Sequence, residues 1–286
     1  MENFEKISDE RLTVLVNSCD LYNDVWPLFF SALGEFWPSR SFKLVLNTET
    51  LAAPNVNSVV TKNFNPLSRN NSWGLRLREA LQSIDTEYVL VLFDDFILEA
   101  PIDECELKKN IDRMDKDKDI AAIYLTALGL ETQNVVCESF DYKYRMLQDK
   151  IDFRLNSAPA IWRRIDLLQY TGEHDNPWAW EVFGSYRTYG DGKKMYCPAS
   201  SDNDVYVYNH SKGGAIYRGR WVSEVVVEKD EKYKLFINFE ERGFSESGVF
   251  EKRTFGWKVN FMILGFRMVR FKSFLFVFRS LKSKIL

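Results

Sequence analysis

Short unbroken apolar runs, each followed by a helical stretch, set the limits on what this 286-residue chain can become. Leu12–Asn17 reads as a first strand. Asn23–Phe36 then places Val25, Leu28, Phe29, Leu33 and Phe36 on one side of a helix. Phe42–Asn47 and Asn57–Thr61 read as strands, and Trp73–Ile84 as a helix capped by Asn71 or Ser72. Tyr88–Phe93 is the next apolar run. Strands that are apolar throughout are buried on both faces, and helices between them supply the cover. The predicted fold class is α/β, with a mostly parallel central sheet.

The later elements are less regular. Asp103–Met114 is predicted helical and Ile120–Thr126 extended. Phe153–Trp162 reads as a strand and Arg164–Tyr170 as a short helix. Pro177 suits the first turn of a helix over Trp178–Arg187. Met195–Pro198 and Asp204–Asn209 read as strands, and Trp221–Lys234 as a helix.

Charge excludes some functions. Phe255–Leu286 holds seven bases and no acid, so the overall −3 leaves a formal −10 on the residues before it. An acidic body is the wrong partner for nucleic acid. The four cysteines, Cys19, Cys105, Cys137 and Cys197, are scattered and form no zinc or disulfide pattern. The opening Met-Glu-Asn-Phe-Glu-Lys is charged where a secretory leader is apolar. No uncharged apolar run reaches the roughly 18 residues that span a bilayer. A cytoplasmic protein is expected.

Tyr88–Phe93 runs directly into Asp94 and Asp95. Two adjacent anions at a buried strand end need compensation. In open α/β sheets ligands bind beyond the carboxyl ends of the strands. Other such ends are also polar: Asn17, Ser18 and Asp20 after the first strand, Asn47 after the second, and Lys62–Asn63 after the third. These ends are expected to converge on one crevice.

A strand ending in Asp-Asp-Phe in this setting resembles the GT-A type of nucleotide-sugar glycosyltransferase, closest to the bacterial capsule and lipopolysaccharide enzymes. VLVNSCDLYNDVW is similar to that family's first strand and base-docking loop. NSWGLRLREAL is similar to the helix before the acidic strand, NPWAWEVFGS to the Trp-rich segment that supplies the catalytic carboxylate of inverting members, and HSKGGAIYRGRW to the loop over the phosphates. The resemblance covers roughly Leu12 to Trp221 and departs from the usual Asp-x-Asp spacing. It implies a single GT-A-like, Rossmann-like domain over residues 1–254. It also implies a UDP-sugar donor and a Mn2+ or Mg2+ cofactor.

The chemistry of the residues is compatible with those roles. Mg2+ and Mn2+ take few protein carboxylates and complete their shell with phosphate oxygens. Asp95 is the expected metal ligand, with His210 as a second. Asp94 is expected to reach the ribose or a metal-bound water. Asn17, Ser18, Asp20, Asn47 and Arg76 are assigned to the nucleotide sugar, and Lys212 or Arg218 to its diphosphate. Gly213 and Gly214 would let the backbone approach a phosphate. Glu181, among aromatics, is the expected general base, with Asp175 as the other candidate. Trp178 and Trp180 are candidates to stack on sugar. A sugar nucleotidyltransferase and a non-catalytic carbohydrate-binding protein are the alternative readings.

The tail, 255–286, mixes seven bases with large apolar side chains. That is the composition of an amphipathic helix lying on anionic lipid. It predicts peripheral attachment to the inner face of the cell membrane, beside a lipid-linked oligosaccharide or polysaccharide acceptor.

Overall fold

In the computed structural model, a nine-stranded sheet carries helices on both faces. The structure describes residues 10–38, 42–52, 59–62, 72–136, 140, 142–210, 213–246 and 253–282. The first half follows the apolar pattern closely: β1 (Leu12–Asn17), α1 (Trp26–Phe36), β2 (Lys43–Asn47), β3 (Val59–Lys62), α2 (Trp73–Gln82) and β4 (Tyr88–Phe93). Then come α3 (Glu104–Lys116) and β5 (Ile120–Tyr124). The strands β6 (Thr132–Val136), β7 (Tyr144–Leu147) and β8 (Ala160–Arg163) follow. After them stand α4 (Arg164–Tyr170), α5 (Pro177–Val182) and β9 (Lys194–Pro198). A small ribbon, β10 (Ile216–Tyr217) with β11 (Arg220–Trp221), leads into α6 (Ser223–Tyr233).

The sheet order is β3-β2-β1-β4-β8-β5-β9-β7-β6. The pairs β3–β2, β2–β1, β1–β4 and β5–β9 are parallel. β8 is antiparallel to both β4 and β5, and β7 to both β9 and β6. Only β7 and β8 therefore run against the rest, and the sheet is mostly parallel. Strand side chains alternate between faces. Val14 and Val16 join α1, α3 and α6 in one core layer, while Leu15 joins α2 and α4 in the other. Truncating a fully buried residue such as Leu90 to Ala is expected to cost about 2–5 kcal/mol.

Four sequence expectations change. The predicted strand over Phe153–Trp162 shortens to β8, because Phe153 takes a positive φ of 58° and turns the chain. The predicted helix over Trp178–Arg187 ends at Val182, and Gly184–Arg187 continues as a 3-10 turn with Gly184 close against Trp180 and Leu155. Asp204–Asn209 is no ladder strand. It crosses the sheet end as an extended link, bonded through Val205 N and Tyr206 N to Leu125 O and through Val207 O to Glu99 N. The tail is two helices, α7 (Phe255–Val269) and α8 (Phe274–Lys282), parted by a turn in which Arg270 has φ 53°.

The tail lies against the body. Phe261, Leu264, Met268 and Phe276 pack on Val182, Phe183 and Tyr186. Gly265 makes this approach possible: a Cβ there would stand 2.5 Å from the Phe183 ring. Lys272 Nζ donates to Tyr186 O at 3.1 Å, and Arg279 pairs with Asp152 at 3.0 Å. Among the described residues no helix is long and apolar enough to cross a membrane.

Candidate active site

The carboxyl ends of β1 and β4 open into a cavity of about 1250 Å3. Asn17, Ser18, Arg76, Asp94, Asp95 and Phe96 form part of its wall. Glu181, Trp178, His210 and Arg218 reach it from later segments.

Asp94 is fully enclosed. It accepts hydrogen bonds from Ser18 Oγ and from Trp26 Nε1, the latter at 3.1 Å. Burial outweighs these donors and lifts its carboxyl to about 7. Asp95 lies half-buried at the cavity wall, and its carboxyl is pushed well up by burial and then by the charge of Asp94. Neither acid has an ion-pair partner among the described residues.

The Gly213–Gly214 loop lies across this acidic turn. Ala215 N donates to Asp95 O at 2.7 Å. A Cβ on Gly214 would also stand 2.7 Å from Asp95 O, and its φ is 146°. Gly214 is thus explained by close approach to Asp95 rather than to a phosphate. The link over 204–209 is fixed to the same turn: Tyr206 Oη donates to Phe96 O at 2.6 Å. Tyr208 stacks on Phe96 with ring centres 4.7 Å apart. Its phenol is raised by burial first and then by the charges of Asp95, Glu181 and Asp204.

Glu181 sits on α5, which begins with Asn176 capping Ala179 N at 2.8 Å and with Pro177 in the first turn. Its carboxylate accepts from Ser157 N at 2.8 Å and from Ser157 Oγ. Burial raises its carboxyl more than these bonds lower it. Trp178, one turn away and 55% exposed, stands at the cavity edge.

Arg76 is buried in an ion pair with Glu49 at 2.7 Å and donates to Ser18 O at 3.3 Å. Cys19, beside it, has its thiol pushed up to about 12 by burial and by Asp94 and Glu49, so it is no nucleophile. His210 tilts against Tyr208, ring centres 5.5 Å apart. The guanidinium of Arg218 lies 5.3 Å from the Tyr217 ring centre.

Several expected residues stand elsewhere. Asp175 is 1% exposed and locked by Arg187, with Arg187 Nη2 donating at 2.8 Å. It also accepts from Gly172 N at 2.8 Å, and its own carbonyl accepts from Gly74 N at 2.9 Å. It fastens α2 to the α4–α5 loop and is no base. Trp180 is buried between Trp73 and Trp162, so it packs the core rather than a sugar. Asp20 turns away to accept from Thr50 N at 2.9 Å and Leu51 N at 3.1 Å. Asn47 lies behind the wall and donates to Asn17 Oδ1 at 3.0 Å. Lys212 lies outside the described residues.

A metal would find few ligands here. Among the described residues no group of three His, Cys, Asp or Glu side chains is placed to hold one. Two adjacent carboxyls, Asp94 and Asp95, line the cavity, a donor set that fits a cation keeping most of its shell for phosphate and water.

The sequence reading missed Trp73, Ser157, Tyr208, Arg253 and Trp257, which also line the cavity. Trp73 opens a predicted helix and Trp257 lies in the tail read as membrane-facing, so neither was assigned to the cavity. Ser157 gave no signal, because its role depends on Glu181 reaching it from 24 residues away.

No family model matches this chain, and no curated protein does. Among solved structures it is similar to S. aureus TarS 1-349, with 13% identity and a TM-score of 0.48 over 91% of this chain and 81% of that one. It is similar to the galactosyltransferase LgtC in complex with donor and acceptor sugar analogs, with 13% identity and a TM-score of 0.36 over 55% of this chain and 59% of that one. The bifunctional IspDF from Campylobacter jejuni aligns at 14% identity and a TM-score of 0.39, over 69% of this chain and 52% of that one. The chain thus spans little more than half the length of LgtC and IspDF.

Proposed function

We propose that this chain is an inverting glycosyltransferase that moves a sugar from a UDP-sugar to a lipid-linked or polysaccharide acceptor. One observation carries the reading: the paired acids Asp94 and Asp95 and the buried carboxylate of Glu181 share a single cavity at the carboxyl ends of the parallel strands. The donor lies along Asn17, Ser18 and Arg76. Its leaving diphosphate faces Asp95 and Arg218. A divalent cation held by Asp95, with Asp94 or His210 in support, offsets charge on that diphosphate when bound.

Glu181 takes the proton of the acceptor hydroxyl as its oxygen attacks the anomeric carbon. The bond from that carbon to the diphosphate oxygen breaks, and its electron pair leaves with the UDP. A carboxyl raised by burial is a stronger base near neutral pH than an ordinary one. Ser157, donating to the same carboxylate, fixes its position.

The surface of the tail supports attachment of this site to a membrane. On α7, Phe255, Val259, Ile263 and Phe266 share one exposed face, opposite the face that meets Phe183. Lys258 and Arg267 flank that apolar stripe. Each base near anionic lipid contributes about 1 kcal/mol of attraction.

Thermal-shift screening of nucleotide sugars with and without Mn2+ tests the reading. A specific UDP-sugar is expected to raise the melting temperature in the presence of Mn2+ by mass action. No shift with any UDP-sugar, together with one from a nucleoside triphosphate, overturns it.

A further inference from the structure

One wall of the cavity does not come from the sheet. It comes from the segment that opens and forms α7: Arg253, Trp257, Asn260, Phe261 and Leu264 line it. The same helix turns Phe255, Val259, Ile263 and Phe266 outward. One element therefore faces the site on one side and the solvent with an apolar stripe on the other.

The side chains on the inner side are stacked in order. The Arg253 guanidinium carbon lies 5.4 Å from the ring centre of Trp178 and 4.6 Å from that of Trp257. Trp257 stacks on Phe261 at 4.7 Å and 16°, and Phe261 meets Phe183 at 4.9 Å. A guanidinium over indole rings is partly stripped of water and directs its N–H donors in its own plane. That geometry matches two oxygens of a phosphate. Asp94, Asp95 and Glu181 make the cavity interior acidic, so an anionic ligand needs a base where it enters. Arg253 is a base at the α7 end, beside the exposed indole of Trp178.

We infer that Trp178, Arg253 and Trp257 form the acceptor subsite, and that the acceptor is a saccharide with a phosphate or diphosphate close to its reacting sugar. The inference rests on the transferase reading. Trp178 takes the apolar face of the sugar ring. Arg253, held between the two indoles, takes the phosphate. A lipid tail beyond that phosphate runs out along α7 toward its apolar stripe. The acceptor and the bilayer are then read by opposite faces of one helix, which Gly265 seats against Phe183.

Farnesyl diphosphate is the probe, with inorganic pyrophosphate and farnesol as the arms that separate phosphate from lipid. Binding to the full chain is read from tryptophan fluorescence, with UDP titrated in parallel. Farnesyl diphosphate is expected to bind saturably and pyrophosphate more weakly. Arg253→Gln is expected to weaken both at least about tenfold, the loss of one charge-assisted hydrogen bond. Arg253→Lys restores part of the affinity. Gly265→Leu, which pushes α7 off Phe183, has the same effect as Arg253→Gln. UDP affinity is expected to stay within about twofold in all three variants, because the donor is assigned to Asn17, Ser18 and Arg76 rather than to α7.

Equal farnesyl diphosphate affinity in Arg253→Gln and the unaltered chain overturns the inference. So does a parallel loss of UDP affinity, which would make Arg253 a donor residue. Farnesol binding as tightly as farnesyl diphosphate would reduce the site to a lipid contact and overturn it as well. If the unaltered chain fails to bind UDP while farnesyl diphosphate binding still depends on Arg253, the donor reading fails and the anion subsite stands.

Discussion

Asp94 carries its carboxyl beneath Ser18 and Trp26, where burial lifts it to about 7. An ordinary unfolded Asp titrates near about 3.9. Between those values the folded chain binds more protons than the unfolded one. Stability therefore falls as pH rises from about 4 to about 7, and the loss is complete above that window. Asp94→Asn removes this slope and relieves Asp95 of a neighbouring charge. Its melting temperature relative to the unaltered chain is expected to be higher at pH 8 than at pH 5, measured without divalent cation. Parallel pH profiles would contradict the assignment. Glu181→Gln keeps shape but loses basicity. Transfer is expected to fall by about 10²-fold or more, with UDP-sugar affinity nearly unchanged. Near-normal turnover would remove Glu181 from the mechanism.

Elements built from local signals were the legible part of the fold. Ser72, one of the two predicted caps, accepts from Leu75 N at 3.3 Å at the start of α2. Pro177 opens α5. β4 announces itself by being apolar along its whole length, and β1 and β2 by apolar runs that end in Asn17 and Asn47. The reversed direction of β8 was not legible, because strand direction depends on partners 70 or so residues away. Likewise, the alternation of Val205, Tyr206, Val207 and Tyr208 imitates a strand, but its partners are backbone groups at the sheet end. Gly213–Gly214 showed as a special loop, although only the fold brings Asp95 O beneath Gly214. Gly214→Ala forces a left-handed backbone and a clash at once. It is expected to cost about 1–3 kcal/mol and to lower activity by displacing Asp95. Denaturant unfolding beside a UDP-release assay checks both effects; an unchanged midpoint would show that the loop adapts.

The whole chain joins a buried acidic site to a basic, apolar surface. Deleting the tail would strip Phe183 and remove a cavity wall, so substitution separates the two roles better. Replacing Phe255, Val259, Ile263 and Phe266 together by Ser leaves the packed face of α7 intact. This variant is expected to stay at the bottom of a flotation gradient with anionic vesicles, where the unaltered chain floats at low salt and less at high salt. Equal flotation of both proteins would remove α7 from membrane attachment. The central claim, that Asp95 and Glu181 serve one sugar-transfer reaction, meets its most direct test in UDP release. A panel of UDP-sugars is incubated with the unaltered chain, Mn2+ and no acceptor. One donor is expected to be hydrolysed slowly to UDP, and Asp95→Asn is expected to abolish that release while the protein still melts cooperatively. Release of pyrophosphate from a nucleoside triphosphate and a sugar phosphate, with no UDP from any donor, would contradict the account.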